Sequence, residues 1–167
     1  MLIAWSGHRP DVFRQPVQAE AAVRAVGAGR VAAGVQFLMG GQRGVDQWAA
    51  RLALQLGIPF HFVLPTTVER FTRDWAAEDR YSLAELMSRC ASLSTIDPAG
   101  ALGALAYDLR NETIVRRADA LVVVWTGLRR GGTFHTISAA RARALPVAEM
   151  LLEGVRTGEI GAGERGL

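Results

Sequence analysis

Short apolar segments alternate with longer amphipathic segments along most of the chain, and this alternation limits the possible folds more than any other feature of the sequence. The segment 120–125 is apolar throughout, which is typical of a central strand buried on both faces. Strands that alternate with helices form βαβ units, which build a mostly parallel sheet. The sequence therefore predicts an α/β three-layer sandwich in which helices flank both faces of the sheet.

The pattern predicts six strands and five helices. We expect strands over residues 2–6, 35–39, 60–64, 93–96, 120–125 and 146–150. We expect helices over residues 17–31, 45–56, 68–90, 102–117 and 133–144. Residues 1–153 are interpreted as one domain, because they show no linker or repeat and are long enough for one core. Residues 154–167 are rich in glycine and charge, and we expect a flexible tail there.

The composition argues against several classes of protein. Hydrophobic residues make up 50% of the chain, yet no apolar run approaches the ~20 residues that a membrane span needs. Cys90 is the only cysteine, so an internal disulfide is impossible and no metal site is expected. The chain begins with an apolar, strand-like segment rather than a basic secretory signal. We therefore expect a cytoplasmic protein that has no membrane partner.

The basic residues are spread along the chain. All 19 of them are arginine, and the formal net charge is only +3. A nucleic-acid interface would concentrate such charges in one stretch or on one face. Nucleic acid is therefore not expected as a partner.

A glycine turn joins the second predicted strand to the helix that follows it. It contains Gly40, Gly41, Arg43 and Gly44, and Asp46 lies at the start of the helix. Glycine lets backbone amides approach an anion, and the helix adds free N–H groups and the positive end of its dipole. Asp46 would cap the helix, order the loop or bind a sugar or base. The turn lacks the Gly-Lys-Ser/Thr of a P-loop and the dinucleotide fingerprint G-x-G-x-x-G.

Three further places carry residues suited to a phosphate-bearing ligand. Ligands of parallel sheets bind at the carboxyl ends of the strands, so we expect these places to form one crevice with the glycine turn. The first two lie after the first strand and late in the fourth helix, and the third opens the last helix with free amides. The residues are Ser6, Gly7 and Arg9, then Arg110 and Asn111, then Gly131, Gly132 and Thr133.

With these motifs in this order, the chain resembles the SLOG superfamily, which contains the DprA/SMF proteins and the LOG phosphoribohydrolases. It is most similar to the YpsA/YspA-related branch, over residues 2–150. The resemblance implies a Rossmann-like sheet that holds a nucleotide or nucleotide-derived ligand between the two glycine turns. It also implies a homodimer or a higher homo-oligomer.

The resemblance to LOG enzymes breaks at one position. These enzymes cleave nucleoside 5′-monophosphates between base and ribose, and their motif resembles Pro-Gly-Gly-x-Gly-Thr-x-x-Glu. Arg110 matches their essential arginine, but Thr136 stands where the glutamate is expected. A hydroxyl cannot supply the charge that stabilises an oxocarbenium-like sugar. We therefore interpret the protein as a nucleotide-binding sensor or carrier, place Thr136 in its binding site and assign no catalytic residue.

Three alternatives stay open at this point. A LOG-like hydrolase could use another carboxylate, such as Asp46 or Glu112. The DprA relatives imply binding of single-stranded DNA. The molybdenum cofactor carrier proteins share the general fold and imply carriage of a phosphate-bearing cofactor. No cofactor is assigned from the sequence.

Overall fold

Six parallel strands form one sheet in the computed structural model, which describes residues 1–155. The strands are β1 (Leu2–Gly7), β2 (Gln36–Met39), β3 (Phe60–Thr66), β4 (Ser92–Asp97), β5 (Ala120–Trp125) and β6 (Val147–Leu151). Their order in the sheet is β4-β3-β2-β1-β5-β6. The predicted parallel sheet is confirmed, with each strand within two residues of its expected bounds.

Helices cover both faces of this sheet. They are α1 (Pro16–Ala28), α2 (Val45–Leu56), α3 (Val68–Phe71), α4 (Ala77–Arg89), α5 (Leu105–Arg117) and α6 (Gly131–Ala142). Helices α1, α2 and α4 pack on one face, and α5 and α6 pack on the other. The predicted Rossmann-like three-layer sandwich is therefore confirmed.

Strand β5 shows why a central strand is apolar at every position. Its side chains alternate between the two layers, with Val122 and Val124 facing the α1, α2 and α4 layer. Leu121 and Val123 face the α5 and α6 layer. All four are at most 1% exposed, and each such burial contributes about 1.5–3 kcal/mol. Both faces of the strand therefore stabilise the fold.

The prediction of a single helix over residues 68–90 is wrong, because the structure has two helices there, α3 and α4. The Thr72 hydroxyl donates to the Val68 carbonyl at 2.8 Å, which closes the last turn of α3. Ala76, the residue before α4, has extended backbone angles. The Phe71 and Trp75 rings pack 5.0 Å apart across this break. Aromatic packing therefore overrides a helical pattern that is continuous in the sequence.

The C-terminal end of the described residues lies close to the segment that follows β1. Gly154 forms an antiparallel bridge with Phe13. Most of the tail expected over residues 154–167 lies outside the described residues. Among the helices of residues 1–155, none combines the length and apolar character needed to cross a membrane.

The strand order reverses at β1. β1 pairs with β2 on one side and with β5 on the other. The chain fills the sheet outward from β1 to β4 and then returns to add β5 and β6 at the opposite edge. Loops after β1 and β5 therefore diverge to opposite faces, which opens a crevice at the carboxyl ends of these strands.

Candidate ligand-binding crevice

A cavity of about 530 Å³ occupies this reversal point. It is lined by four separate segments, which fall within residues 5–12, 40–46, 107–114 and 128–136. Its volume lies within the ~300–1,000 Å³ of small-molecule sites. The tertiary structure therefore brings together four stretches of chain that the sequence keeps far apart.

Most of the predicted site residues line this cavity, and three do not. Gly41 and Gly44 belong to the glycine turn but lie outside the lining, and Arg43 points elsewhere. The predicted residues in the lining are Ser6, Gly7, Arg9, Gly40, Asp46, Arg110, Asn111, Gly131, Gly132, Thr133 and Thr136.

Arg43 braces the glycine turn against α4. Its Nη1 donates to the Asp79 carboxylate at 3.1 Å. Its guanidinium carbon lies 5.5 Å from the centre of the Trp75 ring, a distance typical of a cation–π contact. The charge of Arg43 is therefore paired on the α4 side of the turn, although the sequence suggested that it would face a ligand.

Arg110 connects α5 to the glycine turn from inside the crevice. Its Nη1 donates to the Gly40 carbonyl at 2.7 Å, and the side chain is only about 9% exposed. A Cβ at position 40 would overlap this guanidinium, so the contact requires glycine. Burial lowers the pKa of Arg110, and the nearby Asp46 carboxylate opposes this effect. The Nε atom of Arg110 has no hydrogen-bond partner among the described residues.

Asp46 orders the glycine turn. Its Oδ2 accepts hydrogen bonds from the backbone N–H groups of Gly40 and Gln42, both at 3.1 Å. Nη1 of Arg110 lies 4.0 Å from the same oxygen. Burial raises the pKa of Asp46 to about 6, although Arg110 and the two amides favour the charged form. Of the three roles open from the sequence, loop ordering is observed, whereas the N-cap position of α2 is Gly44.

A chain of hydrogen bonds connects the same glycine turn to α2 and α4. The Gln47 amide donates to the Gly41 carbonyl at 3.4 Å. The Ser82 hydroxyl donates to Gln47 at 3.0 Å, and Arg51 donates to Ser82. The turn is therefore held by side chains of α2, α4 and α5.

The second glycine turn opens α6 toward the cavity. The helix begins at Gly131, whose φ of 78° favours glycine. The first N–H groups of α6 lack partners within the helix, as at every helix N-terminus. The Thr136 hydroxyl donates to the Gly132 carbonyl at 2.9 Å, and the Asn111 amide donates to the same carbonyl at 3.4 Å. Thr133 is the third residue of α6. Its hydroxyl lies 3.4 Å from Nδ1 of His8.

The structure adds lining residues that the sequence did not single out. His8 is only 7% exposed and packs beside the Phe13 and Trp125 rings. Its burial, and then the charge of Arg9, lower the pKa of His8. Tyr107 is found three residues before Arg110, so helical spacing from that arginine could have identified it. The other additions are Trp5, Val12, Gln42, Asp108, Ile114, Leu128 and Arg130.

The fold and the crevice together define a class of protein. A parallel sheet with a cavity at its reversal point, lined by two glycine turns, is typical of a Rossmann-like domain. The chain belongs to the circularly permutated YpsA SLOG family, whose model matches residues 37–159. This confirms the resemblance inferred from the motifs. No curated protein is similar to the chain in sequence.

Several solved structures are similar in fold, and three of them illustrate the similarity. DNA processing protein A (DprA) from Streptococcus pneumoniae has a TM-score of 0.63 and 16% identity, and covers 88% of this chain and 49% of its own. The chain thus spans about half the length of that protein. DprA from Helicobacter pylori has a TM-score of 0.61 and 16% identity, and the match covers 96% of this chain and 71% of the DprA chain. The structural genomics target TM1055 has a TM-score of 0.54 and 18% identity, and the match covers 87% of this chain and 71% of the TM1055 chain.

These similarities overturn the expectation that nucleic acid is not a partner. The H. pylori protein was studied for its single-stranded DNA binding mode, so the same fold serves a protein that binds DNA. Charges that are scattered in sequence can also meet in space. Arg9 and Arg130 are both exposed and line the same cavity, although one follows β1 and the other follows β5. Scattered charge along the sequence was therefore no ground for excluding nucleic acid.

Proposed function

We propose that the protein binds a nucleotide or a nucleotide-derived ligand in this crevice, as a sensor or a carrier. The observation that supports this most directly is the convergence of the α6 N-terminus and the buried Arg110 on one cavity of about 530 Å³. A helix N-terminus favours an anion, and an arginine recognises the oxygens of a phosphate.

The phosphate would bind at the first turn of α6. The N–H groups of Gly131, Gly132 and Thr133 provide donors there, and Gly132 keeps the backbone accessible. Arg130 precedes this turn, is exposed and lines the cavity, so it would add charge without a burial cost. These groups form the anion-binding end of the proposed site.

The sugar or base would lie toward the first glycine turn. Asn111 is buried and lines the cavity beside Arg110. Both backbone bonds to Asp46 use Oδ2, so Oδ1 is the oxygen that a ribose hydroxyl would approach. The ordered turn lowers the entropic cost of binding, because the loop does not need to be fixed by the ligand.

A binding test should use ligands that carry both a phosphate and a nucleoside, because the proposed site has a place for each. Isothermal titration calorimetry with AMP, ADP, cyclic AMP and ADP-ribose should find at least one ligand with a dissociation constant below about 1 mM. Arg130→Ala should weaken that ligand by about tenfold or more, because a charged hydrogen bond is lost. Arg73→Ala is the matched control, since Arg73 is exposed and does not line the cavity.

Failure of every nucleotide to bind below that limit would rule out the proposal. Equal loss in both arginine variants would also count against it, because general charge rather than the crevice would then govern affinity.

Hydrolysis is the rival activity at the same site. Thr136 occupies the position of the LOG glutamate, and its hydroxyl is engaged by the Gly132 carbonyl. Asp46, which lines the cavity, is engaged by two backbone amides, whereas Glu112 is not part of the lining. Incubation with AMP and chromatography of free adenine and ribose 5-phosphate separates the two functions. Turnover by the wild type would favour the hydrolase, and turnover only in Thr136→Glu would favour a binding protein derived from one.

Binding of single-stranded DNA is the second candidate. It is favoured by the exposed Arg9, Arg129 and Arg130 near the crevice and by the fold shared with DprA. Fluorescence anisotropy of a labelled (dT)20 oligonucleotide at two salt concentrations tests it, since phosphate contacts weaken steeply with salt. Arg129→Ala should weaken DNA and leave a mononucleotide unchanged, because Arg129 lies outside the cavity lining. An oligonucleotide that does not bind at low salt rules out this candidate.

A further inference from the structure

One aromatic side chain lies at the outer end of the crevice. Tyr107, Arg110, Asn111 and Ile114 all line the cavity and share one face of α5, because their spacing follows the helical repeat. Exposure falls along this face, from 37% at Tyr107 to 8%, 6% and 4% at the other three. The Tyr107 ring is therefore at the mouth, and its Cα lies about one helical turn, or ~5 Å along the helix axis, before that of the buried Arg110.

Aromatic packing restrains the Tyr107 ring. The centre of the Tyr107 ring lies 6.2 Å from that of Phe71, which is itself buried and lies 5.0 Å from the Trp75 ring. These contacts restrict the rotation of Tyr107 while leaving part of its surface accessible. Leu128, from the β5–α6 loop, is also partly exposed and lines the same cavity.

We infer that Tyr107 forms a stacking surface for the base of a mononucleotide, so that the site selects base-bearing ligands over sugar phosphates. The inference rests on the proposed function, since the phosphate would be bound at α6. A flat, partly exposed ring supported by other aromatic rings suits the face of a base, whereas the polar groups of the crevice suit a phosphate and a sugar. The two ends of the cavity therefore fit the two ends of a nucleotide.

The test compares AMP with ribose 5-phosphate, which lacks the base. Tyr107→Ala should weaken AMP roughly 5- to 150-fold, the range that loss of one base–aromatic stack produces. Ribose 5-phosphate should change by less than about twofold, because its contacts do not involve the ring. Tyr107→Phe should retain AMP affinity. Tyr81→Ala is the matched control, since Tyr81 is 74% exposed on α4 and does not line the cavity.

Several outcomes would overturn the inference. One is a wild type that binds ribose 5-phosphate as tightly as AMP. Another is a Tyr107→Ala variant that weakens both ligands equally or neither of them. A third is a variant that weakens a (dT)20 oligonucleotide but not AMP, which would assign the ring to a DNA strand.

Failure of the proposed function would give a different result from failure of the Tyr107 inference. No nucleotide would then bind the wild type at all, and the inference would fail with the proposed function. If ribose 5-phosphate is too weak to measure, the difference in AMP affinity between Tyr107→Ala and Tyr107→Phe decides. A thermal melt of each variant shows whether it is folded.

Discussion

Arg110 donates a hydrogen bond from Nη1 to the carbonyl oxygen of Gly40, a residue 70 positions earlier in the chain, at 2.7 Å. This bond joins α5 on one face of the sheet to the glycine turn after β2, whose helix α2 packs on the other face. The two layers are thus connected across the strand ends, where the crevice opens.

Removal of Arg110 should destabilise the fold as well as the site. Arg110→Ala removes the hydrogen bond to the Gly40 carbonyl and the positive charge that lies 4.0 Å from the buried Asp46 carboxylate, which should cost about 3–5 kcal/mol of unfolding free energy. Urea denaturation followed by circular dichroism measures this loss. Arg116→Ala is the control on the same helix, because Arg116 is exposed, and it should change the value by less than about 0.5 kcal/mol. A similar loss in both variants would contradict the prediction.

Gly40→Ala should have a related effect through sterics. The added Cβ would overlap the Arg110 guanidinium, so the arginine must move, at a cost of about 1–3 kcal/mol. Gly29→Ala is the matched control. Gly29 has a φ of −73°, and its Cβ would make only an ordinary contact with Val26, so this variant should be unchanged or slightly stabilised. Thermal unfolding of both variants compares them, and equal stability of the two would show that position 40 is not crowded.

Stability should depend on the protonation of Asp46. Its pKa in the folded protein is about 6, above the usual value of 3.8, so the folded state binds more protons between these values. The contribution of Asp46 is therefore most favourable below about pH 4 and declines by up to about 3 kcal/mol as the pH rises through about 6.

Asp46→Asn isolates this contribution, because other carboxylates titrate equally in both proteins. The unfolding free energy of the wild type, minus that of Asp46→Asn, should fall between pH 4 and pH 7. Denaturant titrations at four pH values would measure the difference. A constant or rising difference would show that the pKa of Asp46 is not raised.

The two arginines that follow the first strand and the first glycine turn should behave differently in ligand binding. Arg9 lines the cavity, whereas Arg43 is paired with Asp79 outside it. Arg9→Ala should weaken the nucleotide identified in the panel by about tenfold or more, and Arg43→Ala should change its affinity by less than about twofold. Calorimetry on both variants measures the contrast. A stronger effect of Arg43→Ala than of Arg9→Ala would contradict the prediction, because the charge of Arg43 is paired outside the cavity.

The sequence predicted the sheet well because its signals are local. The continuous apolar run of β5 reports burial on both faces, and its bounds match the prediction. The same is true of α2, which begins directly after the glycine turn and spans residues 45–56 as expected. The break between α3 and α4 could not be read in this way, because it depends on the packing of Phe71 and Trp75.

The candidate site was likewise predicted only where its sequence signals are local. The two glycine turns and the residues around them are visible in the sequence, since turn geometry and helix N-termini require particular residue types at fixed spacing. The direction of Arg43 is not visible, because it depends on α4 and on Trp75. Helical spacing from Arg110 places Tyr107 on the same face of α5, but only its packing against Phe71 shows where the ring lies.

The sequence by itself thus determined the α/β class, the parallel sheet and the position of both glycine turns, all of which follow from local periodicity and backbone sterics. Only the tertiary structure decided that Arg110 reaches Gly40, that Asp46 orders the loop, and that Arg43 points away from the crevice. These are contacts between distant segments, and their geometry depends on how the helices pack against the two faces of the sheet.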